Sequence, residues 1–543
     1  MTHRAPKCSR HTPCAGPAHG VCGIHYPSAR LTALLAAGAL LLPLVLAWLP
    51  GDRSLPLVSG PECPIAWGVL AKSLAVAAAA AAMAVAVGTA LAAALVLTDL
   101  PGRALWATAL ALPFLCPRAV WALGQVYCYG PGGMSEQCLG GAWRTASCLS
   151  DAGHYLVTTL VLAEVHAPLA MFIIGRGLGR LQHAGLDSAI LLLRPAVFVR
   201  WLGGAIRQEA AAAFLLVLAL ALGEFAVPHV LQCRLYTLEI YGRVINYLDP
   251  AGAMRLSWPL LAVTLMAALG VALAERRQSY VSAVPSPARA PVALGRRAWL
   301  VGALLAAYLC LTAVFPLAAM LAECRSPACF LSAVRGASRE VQNTLWLGVI
   351  AALIACAAGL AVGPWNAARR RPVMDVLVMA PLGVAPLLLG LACLRCLRRD
   401  WPLDLIVLEN TNALAALALA VRGWPFVARM IADGQRRIAP QWHETASLAG
   451  MGWWRRWRRI TGPLLAGHLA GGAVVAYVLV VGDVEISQML CAPGSGTLAV
   501  RMCAFLHFGP AHVAANLALL QLLIAVVPVF LYFLLTNRCV PLS

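Results

Sequence analysis

The chain has 543 residues, of which 61% are hydrophobic and only 12% are charged. Soluble domains carry about 25% charged residues, so this composition excludes an ordinary soluble protein and indicates an all-α integral membrane protein. The formal net charge of +19 comes from arginines between apolar runs. Such loops typically face the cytoplasm, and their pattern does not indicate nucleic-acid binding.

The first thirty residues predict a polar cytoplasmic tail. Residues 1–30 contain several histidines and cysteines, which are zinc ligands at suitable spacings. The two-residue gaps join Cys to His rather than forming CxxC pairs, and terminal tails are often disordered. We therefore expect no metal site here. The following apolar run, residues 31–49, predicts a first membrane-spanning helix, since about 20 apolar residues cross a bilayer.

Apolar runs then recur along the chain in two sets of six, counting the run at 31–49. They predict about twelve transmembrane helices, with a first repeat at 31–275, a cytoplasmic linker at 276–297 and a second repeat at 298–543. The remaining runs lie near residues 67–97, 104–126, 154–175, 207–231, 257–274, 298–321, 341–363, 374–394, 411–431, 464–490 and 514–535.

Matched residues indicate that the two sets repeat one another. Asp187 and Glu444 are 257 positions apart (444 − 187), and Glu224 and Asp483 are 259 apart (483 − 224). An even number of spans in each set gives both repeats the same orientation, a parallel arrangement known among transporters. The excess of arginine in one set of loops places the loop containing Glu444 in the cytoplasm.

The segment 440–463 is a polar, arginine-rich interruption of the apolar sequence. Pro440 favours a helix start, Glu444 is expected near that helix's positive end, and Gly450 permits a sharp bend. Tryptophans and arginines follow before the apolar sequence resumes. The pattern predicts a short helix, a bend and a second short helix on the cytoplasmic face.

The same segment resembles the EAA loop of bacterial ABC importer permeases. Five positions match that motif in register: Glu444, Ala446, Gly450, Ile460 and Pro463. The resemblance implies a coupling helix that docks in a groove of a separate ATPase. The alternative is an ordinary membrane flank, where Trp and Arg are common, but this does not explain the spacing of Glu444, Gly450 and Pro463.

The corresponding loop of the first repeat departs from the motif. Asp187 and Ala189 match Glu444 and Ala446, but Leu193 stands at the position of Gly450. We expect this loop to couple more weakly to an ATPase than the second loop does.

Glu224 and Asp483 are acids at matching positions within apolar runs. Charges inside a bilayer are costly and usually face a bundle interior or a cavity. Two interpretations remain open: a gate or pathway lining near the outer mouth, or a hydrogen bond that packs helices. At about 1.5 Å per residue, both acids are expected near the outer edge of the hydrocarbon core.

No catalytic motif is recognisable. Lys7 and Lys72 are the only lysines, neither follows a glycine, and HExxH and GxSxG are absent. A P-loop needs Gly-Lys-Ser/Thr, so we expect no enzyme activity and no cofactor in this chain, with ATP used by a partner.

Residues 482–509 resemble the end of fused ferric-iron-type permeases, with thiamine-type permeases as relatives. The resemblance implies the type I ABC importer permease fold in a bacterial inner membrane. It also implies two cytoplasmic ATP-binding subunits and a periplasmic solute-binding protein as partners. A 6+6 secondary transporter without an ATPase is the competing hypothesis.

Overall fold

The computed structural model describes residues 65–139, 151–183, 194–276, 292–368, 378, 381, 384–397 and 412–539. The regular elements in these ranges are helices, with one isolated β-bridge between Thr98 and Val292. We refer to residues 65–276 as the first part and residues 292–539 as the second part. The predicted tail 1–30 and the predicted span 31–49 lie outside the described residues.

The first part contains ten helices among its described residues. In chain order these are α1 (Trp67–Leu97), α2 (Arg103–Leu115), α3 (Arg118–Tyr129), α4 (Met134–Leu139), α5 (Asp151–His183), α6 (Pro195–Ala205), α7 (Arg207–Leu222), α8 (Ala226–Val230), α9 (Tyr236–Ile245) and α10 (Pro250–Arg276).

The second part has twelve α-helices among its described residues, together with a short 3₁₀ turn at Gly295–Arg297 and two π-helical turns at Cys310–Val314 and Trp457–Thr461. The α-helices are α11 (Ala298–Leu309), α12 (Phe315–Glu323), α13 (Pro327–Gly336), α14 (Ser338–Ala368), α15 (Pro386–Leu397), α16 (Ala413–Arg437), α17 (Pro440–Leu448), α18 (Trp453–Arg456), α19 (Gly462–Val481), α20 (Glu485–Leu490), α21 (Leu498–Phe508) and α22 (Ala511–Cys539).

Eight helical stretches within the described ranges are long and apolar enough to cross a membrane, and a bent pair makes up to nine. The protein is therefore an all-α, multi-pass membrane protein. Each predicted span from residue 67 onward coincides at least in part with a helix, although 374–394 is only partly described. The predicted total of twelve remains a prediction.

Three of the predicted spans that are fully described are interrupted rather than continuous. Between α2 and α3 the axis turns by 96°, because Pro117 lacks a backbone N–H and disfavours helical angles at the preceding residue. Cys116 accordingly adopts an extended conformation. The predicted spans 207–231 and 464–490 break at Gly223 and Gly482, which cap α7 and α19.

Each part contains a close contact between two of its long helices, and the two contacts involve residues at matching positions. A Cβ built on Gly88 in α1 would lie 2.7 Å from the Cβ of Ala170 in α5. Gly359 in α14 would place its Cβ 2.6 Å from Cγ1 of Val427 in α16. Gly359 follows Gly88 by 271 positions (359 − 88), and Val427 follows Ala170 by 257 (427 − 170). In both places glycine lets two long helices approach closely.

A second contact recurs at the starts of α9 and α21. Tyr236 N–H donates to Oγ of Ser73 in α1 at 2.8 Å, and Leu498 N–H donates to Oγ1 of Thr344 in α14 at 2.8 Å. Thr344 follows Ser73 by 271 positions (344 − 73), the spacing found for Gly88 and Gly359. A hydroxyl thus satisfies a backbone donor that helix geometry leaves without a partner.

The end of α1 contacts the end of the predicted linker. Thr98 forms the parallel bridge with Val292, and Asp99 Oδ1 accepts a hydrogen bond from Leu294 N–H at 2.7 Å. These two contacts hold the end of α1 against the last residues of the predicted linker.

Candidate functional site

The breaks at Gly223 and Gly482 both lie at the contact between the first and second parts. The Cβ that Gly223 lacks would lie 3.1 Å from the Cβ of Ala385, and the Cβ that Gly482 lacks would lie 3.1 Å from the Cα of Pro117. Each break therefore abuts the other part of the chain, and the two contacts are reciprocal.

Glu224 follows the first break and is almost fully buried. Its Oε2 lies 2.7 Å from Nη1 of Arg118, which begins α3. Its Oε1 accepts from Ala226 N–H at 3.2 Å, and its backbone carbonyl accepts from Thr237 Oγ1 at 3.1 Å. This acid is thus tied to one arginine and to the short helix after the break.

Asp483 follows the second break and is equally buried. Its Oδ2 accepts from Nη1 of Arg422, in α16, at 2.6 Å. Its Oδ1 accepts from the backbone N–H groups of Ile486 and Ser487, at 2.8 and 3.3 Å. The carboxylate therefore caps the start of α20 while holding a half-buried guanidinium.

One small cavity brings these groups together. It is lined by both ion pairs and by Glu485, the first residue of α20. The cavity has a volume of about 20 Å³, and by this measure one water molecule needs about 10–15 Å³. The cavity therefore has room for about one water molecule.

The sequence predicted Glu224 and Asp483 as a pair, and the structure places both beside this cavity. It adds three charged residues that sequence reasoning missed: Arg118, Arg422 and Glu485. The sequence did contain a signal for them, because each is a charged residue within or beside an apolar run, where charges usually have a function. Each acid contacts an arginine of its own part.

Glu164 and His166, in α5, have structural contacts. Glu164 Oε2 accepts from Gln125 Nε2 at 2.8 Å and from Trp121 Nε1 at 3.4 Å. His166 Nδ1 lies 2.8 Å from the carbonyl of Leu162. These bonds tie α5 to α3 and to its own preceding turn.

The segment 440–463 forms a helix, a bend and a second helix. Pro440 begins α17, Gly450 has a left-handed φ of +66°, and α18 runs directly into a π-helical turn before α19. Glu444 lies in the middle of α17 rather than in its first turn. Pro463 is the second residue of α19 and directly follows the π-helical turn.

The motif residues differ in exposure. Ala446 is buried and Ile460 is half-buried, whereas Glu444, Gly450 and Pro463 are exposed. Large apolar side chains beside them are also exposed, with Leu448 at 90%. Trp442 and Trp454, each at 61%, and Leu464 at 52% also belong to this exposed apolar set.

Contacts within the segment fix its shape. Arg456 Nη1 donates to Ser447 Oγ at 2.8 Å across the bend, and the rings of Trp454 and Trp457 stack at 5.6 Å. Partial burial and the nearby Arg456 lower the pKa of His443 below its ordinary value. His443 is therefore neutral at neutral pH, and adds no charge to the arginine-rich surface.

The corresponding loop of the first part is incompletely described. Asp187 and Ala189, the predicted coupling residues there, and Leu193 lie outside the described residues. The described portion is α6, which begins at Pro195 after the extended Arg194.

The sequence matches no protein-family model and no curated protein.

Proposed function

We propose that the chain is the membrane permease of a binding-protein-dependent ABC importer, whose ATP is hydrolysed by two copies of a separate subunit. The observation that carries this proposal is the exposed helix–bend–helix at 440–461. Its left-handed Gly450 and its exposed Glu444 stand at positions of the coupling motif, and Leu448 between them is also exposed.

The chemistry of this surface favours docking on a protein. Leu448 is almost fully exposed at the end of α17, where the helix gives way to the bend. An apolar side chain in that place suits a groove in a partner, since helix-in-groove recognition relies on such anchors. Arg455, Arg458 and Arg459 are exposed on the following turn and favour the cytoplasmic side of a membrane.

Matched contacts in the two parts also support the proposal. The Gly88–Ala170 and Gly359–Val427 contacts, and the reciprocal contacts of Gly223 and Gly482, suit two similar bundles that rock about a central contact. Parallel repeats of this kind surround transport pathways. Import of ferric iron across a bacterial inner membrane, delivered by a periplasmic binding protein, is the proposed activity. Thiamine or another small solute is the alternative within the same class.

A secondary transporter is the second candidate, and one observation favours it. Buried ion pairs join Arg118 to Glu224 and Arg422 to Asp483, and proton- or ion-driven transporters use charges of this kind. The exposed coupling segment still favours the ATP-driven class, because a transporter driven by an ion gradient has no need of it.

Co-purification and ATP dependence distinguish the two classes. The chain is purified in mild detergent from its native membrane, and its partners are identified by mass spectrometry. We expect an ATP-binding subunit to co-purify and the isolated chain to hydrolyse no ATP. Uptake into vesicles that follows an imposed ion gradient, and needs no ATP or ATPase subunit, would instead establish the secondary transporter.

A further inference from the structure

Glu485 is the one carboxylate at the central cavity for which the described structure shows no cationic partner. Its side chain is 3% exposed, and its Oε2 has no hydrogen-bond partner in the part of the chain described. The two arginines at the cavity already contact other acids, Arg118 with Glu224 and Arg422 with Asp483.

The charges around the cavity do not balance. Three carboxylates and two guanidiniums line it, which leaves one negative charge when all five groups are ionised. A buried charge without a partner is strongly unfavourable. The matching residue of the first part is Ala226 (485 − 259), so this extra acid belongs to the second part alone.

Helix ends of both polarities surround the cavity, since α3 and α20 begin beside it with partial positive charge. Both α7 and α19 end at the breaks beside it, and helix C-termini carry partial negative charge. Ends of interrupted helices and unwound carbonyls are the groups that bind sodium ions or protons in transporters.

We propose that Glu485 and this cavity bind one small monovalent cation, such as sodium or potassium. The cavity of about 20 Å³ admits an ion of about the size of a water molecule and excludes an organic cation. One unpaired carboxylate balances a single positive charge, which favours a monovalent over a multivalent ion. The bound ion neutralises the cluster and stabilises the closed contact between the two parts.

The test measures binding of radiolabelled sodium, and of potassium as its competitor, to the purified full chain in detergent. We expect saturable binding of one ion per chain, a higher melting temperature in sodium than in choline, and no binding of choline. Glu485→Gln should weaken sodium binding about tenfold or more, as loss of a key ligand group does. Glu340→Gln is the matched control, since Glu340 already has Arg501 as its partner, and should bind as the parent does.

Three outcomes overturn the proposal. The first is no saturable binding of either ion to the parent chain. The second is unchanged binding in both Glu485→Gln and Glu485→Ala, the latter being the residue found at the matching position of the first part. The third combines two results: the parent shows an infrared band of a protonated carboxylic acid that Glu485→Gln abolishes, and sodium changes neither this band nor the melting temperature of the parent. Together they would assign a proton rather than a metal ion to this site. None of these measurements needs an ATPase, so they do not depend on the proposed import activity.

Discussion

Gly482, at the break between α19 and α20, packs directly on Pro117, at the bend between α2 and α3. The missing Cβ of Gly482 would lie 3.1 Å from the Cα of Pro117. A backbone atom cannot move aside as a side chain can. This contact between the two parts therefore leaves little room for a larger residue at position 482. Gly223 makes the reciprocal contact with Ala385.

The first prediction follows from this contact. Gly482→Leu should destabilise the folded protein by about 1–3 kcal/mol, the usual cost of overpacking a close contact, and should lower its melting temperature in detergent. Gly467→Leu is the control, because Gly467 lies on the same helix with nothing within 4 Å of its Cβ position. Equal melting temperatures for the two variants would show that the contact is not tight.

The second prediction concerns Gly450, whose φ is +66° while the space around its Cβ is open. Gly450→Arg should abolish uptake but leave the protein in the membrane, because the cost is backbone strain of about 1–2 kcal/mol and lost docking. Gly450→Asn is the control, since Asn tolerates the left-handed conformation best, and should retain more uptake. Normal uptake by Gly450→Arg would remove the coupling interpretation. A matching change at Leu193 should have less effect, because that loop already departs from the motif.

The third prediction tests the ion pair of Arg422 and Asp483. Arg422→Met should destabilise the protein by about 3–5 kcal/mol, because it leaves a buried carboxylate without its partner. Adding Asp483→Asn should restore most of this loss, since the amide oxygen can still accept from the N–H groups of Ile486 and Ser487. Unfolding in detergent measures both variants. Arg234→Met, which breaks the exposed pair with Glu239, should cost only about 0–1 kcal/mol; a similar loss at both sites would contradict the argument.

The fourth prediction concerns the charge of the central cluster. Replacing Glu224 with Gln and Asp483 with Asn changes the sum of its five charges from −1 to +1 (two carboxylates lost). Uptake of a cationic solute by the assembled complex should slow more than its basal ATP hydrolysis does. Glu239→Gln, at an exposed pair, serves as the control. Uptake at the parental rate by the double variant would identify these acids as packing residues.

Local sequence was sufficient for the features that depend on neighbouring residues. Runs of about 20 apolar residues predicted the membrane class, because hydrocarbon requires both apolar side chains and a hydrogen-bonded backbone. Pro440 and Gly450 predicted the start of α17 and the bend that follows it, because proline fixes φ and glycine permits positive φ. The structure has both features.

Only the tertiary structure decided which charges meet. Arg118 precedes Glu224 by more than a hundred residues, and Arg422 lies in another helix from Asp483, so no local periodicity could pair them. Their contact depends on how α3 and α16 pack beside two interrupted helices. The same packing leaves Glu485 beside a cavity of about 20 Å³ with no cationic partner among the described residues. Sequence alone showed that these acids are costly in a membrane, and the packing of distant helices determined which arginines contact them.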